Sequence, residues 1–206
     1  MKRIMNRFLL NVIAALVLSQ GLAVAQSDLR LVGENGLEFS PLAGATAKVN
    51  GNTVEVSTKG VNSGIRFHTD LDVSEYSSLR FKLTNKRNSF ILMAVQIQDT
   101  IYNANTNKQD KGAMSDRLLL FPNETREVVI PLAAQLPYPE IYNGFKGLRN
   151  TPYSIDEHYS YSVDLSSVKM IKINAFKHFD GAEYSITDLR FARGEKARLA
   201  PWMEWD

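Results

Sequence analysis

Five of the chain's eight tyrosines, Tyr138, Tyr142, Tyr153, Tyr159 and Tyr161, fall in one stretch that also holds Arg149, Asn150, Asp156, Glu157 and His158. A sugar ring presents an apolar C–H face and a rim of hydroxyls. A saccharide site therefore combines an aromatic platform with amide, carboxylate or guanidinium groups that make directional hydrogen bonds. The candidates are Tyr142, Tyr153, Tyr159 and Tyr161 for stacking and Arg149 and Asn150 for hydrogen bonding, with His178 as a further polar ligand group. The competing reading is that these tyrosines pack the segment onto the fold and satisfy their hydroxyls locally, as semi-buried tyrosine ordinarily does.

Catalytic patterns are weaker. The chain has no HExxH, GxSxG, P-loop or GxGxxG motif, and His68, His158 and His178 lie far apart in sequence. Glycoside hydrolysis needs two placed carboxylates; Asp156 with Glu157, or Glu204 with Asp206, can be named without any specific signal. A lyase using Tyr159, His158 and Arg149 as base and charge stabiliser is the remaining enzymatic alternative. No catalytic residue is assigned, and the expectation is a non-enzymatic domain.

The amino terminus carries Lys2, Arg3 and Arg7, an apolar run interrupted by Asn11, Ser19, Gln20 and Gly21, and the small-residue pattern Ala23-Val24-Ala25. It reads as a secretory signal peptide over residues 1–25, too interrupted for a stable membrane anchor, and predicts a secreted or periplasmic protein. Without its three cations, the 24 Lys+Arg fall to 21 against 22 Asp+Glu. A near-neutral domain with no basic stripe is not expected to bind nucleic acid. Cysteine is absent, so disulfides and thiolate metal sites are excluded and the core must hold the fold. Residues 26–193 are long enough for one domain, followed by a tail, 194–206, that contains both tryptophans, Trp202 and Trp205.

These residues need a scaffold, and the alternation of apolar and polar positions supplies it. Residues 45–49, 53–58, 64–68, 78–84, 126–130, 169–176 and 184–191 alternate at period two, while 90–98 and 117–121 are more uniformly apolar. With Asn50-Gly51-Asn52 as a hairpin signal, about nine or ten strands result. The architecture expected is an all-β jelly-roll sandwich of the galactose-binding-like, carbohydrate-binding-module-like type. Residues 99–116 and 132–165 are expected to be loops, the second carrying the site. If a concave sheet face binds instead, Arg66, His68, Arg80, Lys82, Gln96 and Gln98 are its candidates. A structural calcium, held by Glu34, Glu38 and Asp188 near the two chain ends, is a further expectation, set against ordinary solvated acids.

At GLRNTP (147–152), VDLSSVKMIKI (163–173) and YSITDLRF (184–191) the sequence resembles the amino-terminal module of secreted β-agarases of glycoside hydrolase family fifty. The matching residues are Gly147, Leu148, Arg149 and Pro152, then Asp164, Leu165 and Ser166, then Asp188 and Arg190. The resemblance implies a β-sandwich that precedes a catalytic (β/α)₈ barrel and helps frame an agar-binding surface. It implies agar or another galactan as ligand and a glycoside hydrolase catalytic domain as a second partner. Asp164 and Ser166 would fix a turn. Arg149 would point outward to a ligand or partner domain. The barrel's catalytic carboxylates have no counterpart in this chain.

Overall fold

The computed structural model describes residues 27–33, 36–42, 44–100, 112–132, 157–161, 163–176 and 181–194, with residues 157–161 described by their backbone. Residues 1–26 and 195–206 and the segment around Arg149 lie outside them. Among the described residues twelve strands form: β1 (Leu29–Arg30), β2 (Phe39–Pro41), β3 (Ala45–Asn50), β4 (Thr53–Thr58), β5 (Ser63–Leu71), β6 (Ser78–Asn85), β7 (Ile91–Asp99), β8 (Ala113–Leu120), β9 (Thr125–Pro131), β10 (Glu157–Tyr161), β11 (Val168–Ala175) and β12 (Glu183–Ala192). Every expected alternating run is a strand. The difference lies in the loops: residues 113–116 open β8, and 157–161 form β10 along its edge.

The strands make two antiparallel six-stranded sheets. Sheet A runs β3-β4-β12-β6-β9, with β1 also pairing β12; sheet B runs β10-β8-β7-β11-β5-β2. Asn50-Gly51-Asn52 closes the β3–β4 hairpin, with Gly51 at φ 59° and Asn50 opposite Thr53. The glycine-bearing link after β4 does not close a hairpin; it carries the chain from sheet A to sheet B. Such crossings join the sheets into a jelly-roll sandwich.

Alternation fixes what each sheet buries. Val54, Val56, Leu79, Phe81, Leu83, Ile186 and Phe191 from sheet A meet Ile65, Phe67, Met93, Val95, Ile97, Ile171 and Ile173 from sheet B in one core. Each such side chain contributes roughly 1.5–3 kcal/mol by leaving water. Tyr184 ties the layers together, its buried hydroxyl donating to the Ile173 carbonyl at 3.2 Å. Burial pushes that phenol's pKa far up.

Candidate functional site

Ile65 and Phe67 of β5, Met93, Val95 and Ile97 of β7, and Ile171 and Ile173 of β11 are buried in the core, so Arg66, Gln96 and Lys172 between them face away from it. Strand pairing then brings distant residues into one row. Ser40 lies opposite Arg66, Arg66 opposite Lys172, Lys172 opposite Gln96, Gln96 opposite Ser115, and Ser115 opposite Tyr159. One polar register row thus crosses all six strands, a span of ~24 Å at the usual inter-strand spacing. The adjacent row runs His68, Met170, Gln98, Ala113 and Tyr161.

Hydrogen bonds hold parts of this face in place. Arg66 Nε donates to Ser40 Oγ at 3.0 Å, and Ser40 Oγ lies 3.2 Å from His68 Nε2. Gln98 Nε2 donates to Gln96 Oε1 at 2.7 Å. The Arg117 guanidinium sits 4.6 Å from the Phe176 ring centroid. Lys172 is half-buried and makes no hydrogen bond or ion pair among the described residues. Burial first, and the neighbouring Arg66 charge second, hold its ammonium pKa below the ordinary lysine value. Together these groups offer guanidinium, ammonium, amide and hydroxyl functions to a hydroxyl-rich ligand.

Of the sheet-face candidates, Arg66, His68, Gln96 and Gln98 come together here. Arg80 and Lys82 lie on β6, on the outer face of sheet A. Of the stacking candidates, Tyr159 and Tyr161 hold β10 register positions beside Ser115 and Ala113; Tyr142 and Tyr153 lie outside the described residues, as do Arg149, Asn150 and His178. Lys172 and Ser115 were not candidates from sequence, although Lys172 is one of the polar positions of its alternating strand.

The calcium donors are placed differently. Glu34 lies outside the described residues, Glu38 is exposed beside β5, and Asp188 occupies a bulge in β12 at φ 57°. Asp188 pairs with Arg190 through one carboxylate oxygen, and its other, Oδ1, lies 3.8 Å from Arg30 Nη1 with no hydrogen bond. Two guanidiniums already neutralise this carboxylate. Calcium takes six to eight oxygen ligands, and no group of three potential ligands converges among the described residues.

Asp164 does fix a turn. It caps the short 3₁₀ helix Leu165–Ser167, accepting from Ser166 N at 3.0 Å and Ser166 Oγ at 2.7 Å. Its backbone N–H donates to Asp99 Oδ2 at 2.7 Å, so the turn ties the start of β11 to the end of β7. The Ser166 hydroxyl and backbone N–H hold the Asp164 pKa below the ordinary carboxylate range.

Two other surfaces carry polar or aromatic groups. A depression of about 320 Å³ on sheet A is lined by residues including Lys48, Glu55, Ser57, Lys86 and Glu183. Its Lys86 and Glu55 are already paired at 2.7 Å. At one end of the sandwich, Phe90 and Phe121 are 52% and 44% exposed and meet edge-on at 5.2 Å. Asn85 organises that end, donating to the Ser89 and Phe121 carbonyls.

No protein-family model and no curated protein matches the chain. Solved structures do. An exo-β-agarase matches with a TM-score of 0.61 at 12% identity over 81% of this chain, and a second agarase with 0.60 at 15% over 84%. A family 11 carbohydrate-binding module from Clostridium thermocellum, solved with a β-1,3-1,4-mixed-linked tetrasaccharide, matches with 0.50 at 16% identity over 82% of this chain and 98% of its own. This chain spans about a quarter of the agarase chains, covering 25% of each. Its fold is that of a carbohydrate-binding module, shared with part of these agarases.

Proposed function

We propose that this chain is a non-catalytic carbohydrate-binding module that recognises agar or a related galactan. The supporting observation is the row Ser40–Arg66–Lys172–Gln96–Ser115–Tyr159 across the outer face of sheet B, in a fold shared with saccharide-binding modules. Gln96 and Ser115 donate to and accept from sugar hydroxyls, and Arg66 donates to them. Tyr159 and Tyr161, with Tyr142, Tyr153, Arg149, Asn150 and His178 of the adjoining segment, supply stacking and further hydrogen bonds. Affinity is modest, because a hydroxyl-rich ligand exchanges bonds to water for bonds to protein. Affinity electrophoresis through gels containing agarose or other polysaccharides tests this reading. Retardation by a galactan without release of reducing ends or unsaturated products supports it; free migration through every galactan contradicts it.

A second reading is supported by the quarter-length match to agarases and by the exposed Phe90–Phe121 pair. Here the module also packs on a glycoside hydrolase catalytic domain, and the two phenylalanines form the contact. A barrel-coding frame continuing downstream of Asp206 would favour this reading. Export through a leader at 1–25 belongs to both readings and is tested by the amino-terminal sequence of the mature protein.

A further inference from the structure

The centre of sheet B's outer face carries two facing cations, and Lys172 has no acid among the described residues. Lys172 and Arg66 face each other on neighbouring strands, and like charges directly opposite in a sheet are destabilising. Burial and that neighbour both disfavour the Lys172 ammonium. Other half-buried arginines have acids, Arg126 meeting Glu124 at 3.0 Å and Arg190 meeting Asp28 at 3.0 Å and also Asp188, while Arg80, opposite Arg190, bonds Ser78 Oγ. Around Lys172 the nearby acids are differently placed. Asp70 is paired with Lys169, Glu38 sits at the β2 edge, and Glu157 holds the register position opposite Arg117 at the far edge.

We infer that this face binds a saccharide carrying a sulfate ester, with the sulfate held between Lys172 and Arg66. The inference rests on the saccharide-binding reading and names the ligand's chemistry. An anion there supplies the missing counter-charge. Sulfate suits these donors better than carboxylate. Arg66 has committed Nε to Ser40 Oγ, and with it part of the edge that takes a carboxylate side-on. Its terminal nitrogens and the three-donor ammonium of Lys172 match a tetrahedral anion with several terminal oxygens. Gln96, on the other side of Lys172, is placed for a hydroxyl of the same sugar.

Calorimetric titration of the full chain with oligosaccharides of agarose, carrageenan and polygalacturonate, at low and at physiological salt, tests the inference. Carrageenan should bind about tenfold more tightly than agarose. Lys172→Met should reduce carrageenan to the agarose level, Lys172→Arg should retain the preference, and Lys82→Met, an equal loss of charge on sheet A, should change nothing. Circular dichroism checks that each variant keeps its fold. Equal binding of agarose and carrageenan, unmoved by Lys172→Met, overturns the inference and leaves the saccharide reading standing. Tighter binding of polygalacturonate than of carrageenan overturns the choice of sulfate. An equal loss in Lys82→Met reduces the effect to overall charge and overturns the site. Failure to bind any of the three overturns both readings.

Discussion

The outer faces of the two sheets are built from the same alternation and differ in how they treat a central pair of facing cations. On sheet A, Thr53 bonds Thr187 and Thr84 bonds Thr125, each at 2.9 Å, and Lys86 pairs with Glu55. Arg190 and Arg80 face each other there, as Lys172 and Arg66 do on sheet B, and Asp28 and Asp188 compensate Arg190. On sheet B, Lys172 has no such partner among the described residues. Folding alone favours the first arrangement, since a stable surface pairs its charges or leaves them fully hydrated. The second arrangement becomes favourable when a ligand completes it, and sites of that kind trade stability for function.

Several substitutions bear on this contrast, beginning with the largest effect. Gly64 lies on sheet B opposite Asn174, where an added Cβ would come within 2.3 Å of the Ile173 carbonyl oxygen and 2.5 Å of Asn174 Cα. Gly64→Ala is expected to lose ~1–3 kcal/mol in urea unfolding and to disturb the row from the neighbouring Gly64–Asn174 pair. Gln96→Glu gives Lys172 the acid that sheet A gives Arg190, and can keep the bond from Gln98. It should lower affinity for a sulfated galactan about tenfold, ~1.4 kcal/mol by calorimetry, with no loss of fold. Asp28→Asn combined with Asp188→Asn should make sheet A resemble sheet B. Asparagine tolerates the positive φ at 188, so the change tests charge, and the expected cost is up to ~1 kcal/mol with ligand binding unchanged.

The smallest effect is on stability at Lys172. A lysine whose pKa is depressed in the fold costs stability while folded and unfolded states are both protonated. That cost fades as pH rises through the folded value towards the unfolded 10.5. Lys172→Met should therefore be more stable than wild type at neutral pH, raising Tm by roughly 1–3 °C. Its advantage should narrow as pH approaches 10.5, as thermal melts across that window would show.

Much of the fold was legible because period-two alternation is a local signal. It located seven strands, the two uniformly apolar runs gave β7 and β8, and the alternation distinguished inward from outward residues. It could not assign an outward residue to a sheet: Arg66 and Arg80 follow the same pattern, yet lie on opposite sides of the molecule. That assignment depends on pairings such as Lys172 with Arg66, which join residues about a hundred positions apart. Strand β10 was hidden because Glu157–Tyr161 offers polar and aromatic residues with no aliphatic face, and it pairs along one edge. The Asp164–Ser166 turn was legible because an Asp capping groups two residues ahead is local chemistry. Of the two guanidiniums beside Asp188, Arg190 is two residues away in sequence, whereas Arg30 comes from a distant strand that only the pairing of β1 with β12 brings near.

The central claim is that the saccharide lies on the outer face of sheet B, and amide chemical-shift mapping of the labelled full chain with a galactan oligosaccharide addresses it directly. The account predicts shifts concentrated at Arg66, Gln96, Ser115 and Lys172, with little change along β3, β4 and β12. Shifts confined to sheet A, or to the 133–156 segment with sheet B silent, would contradict it.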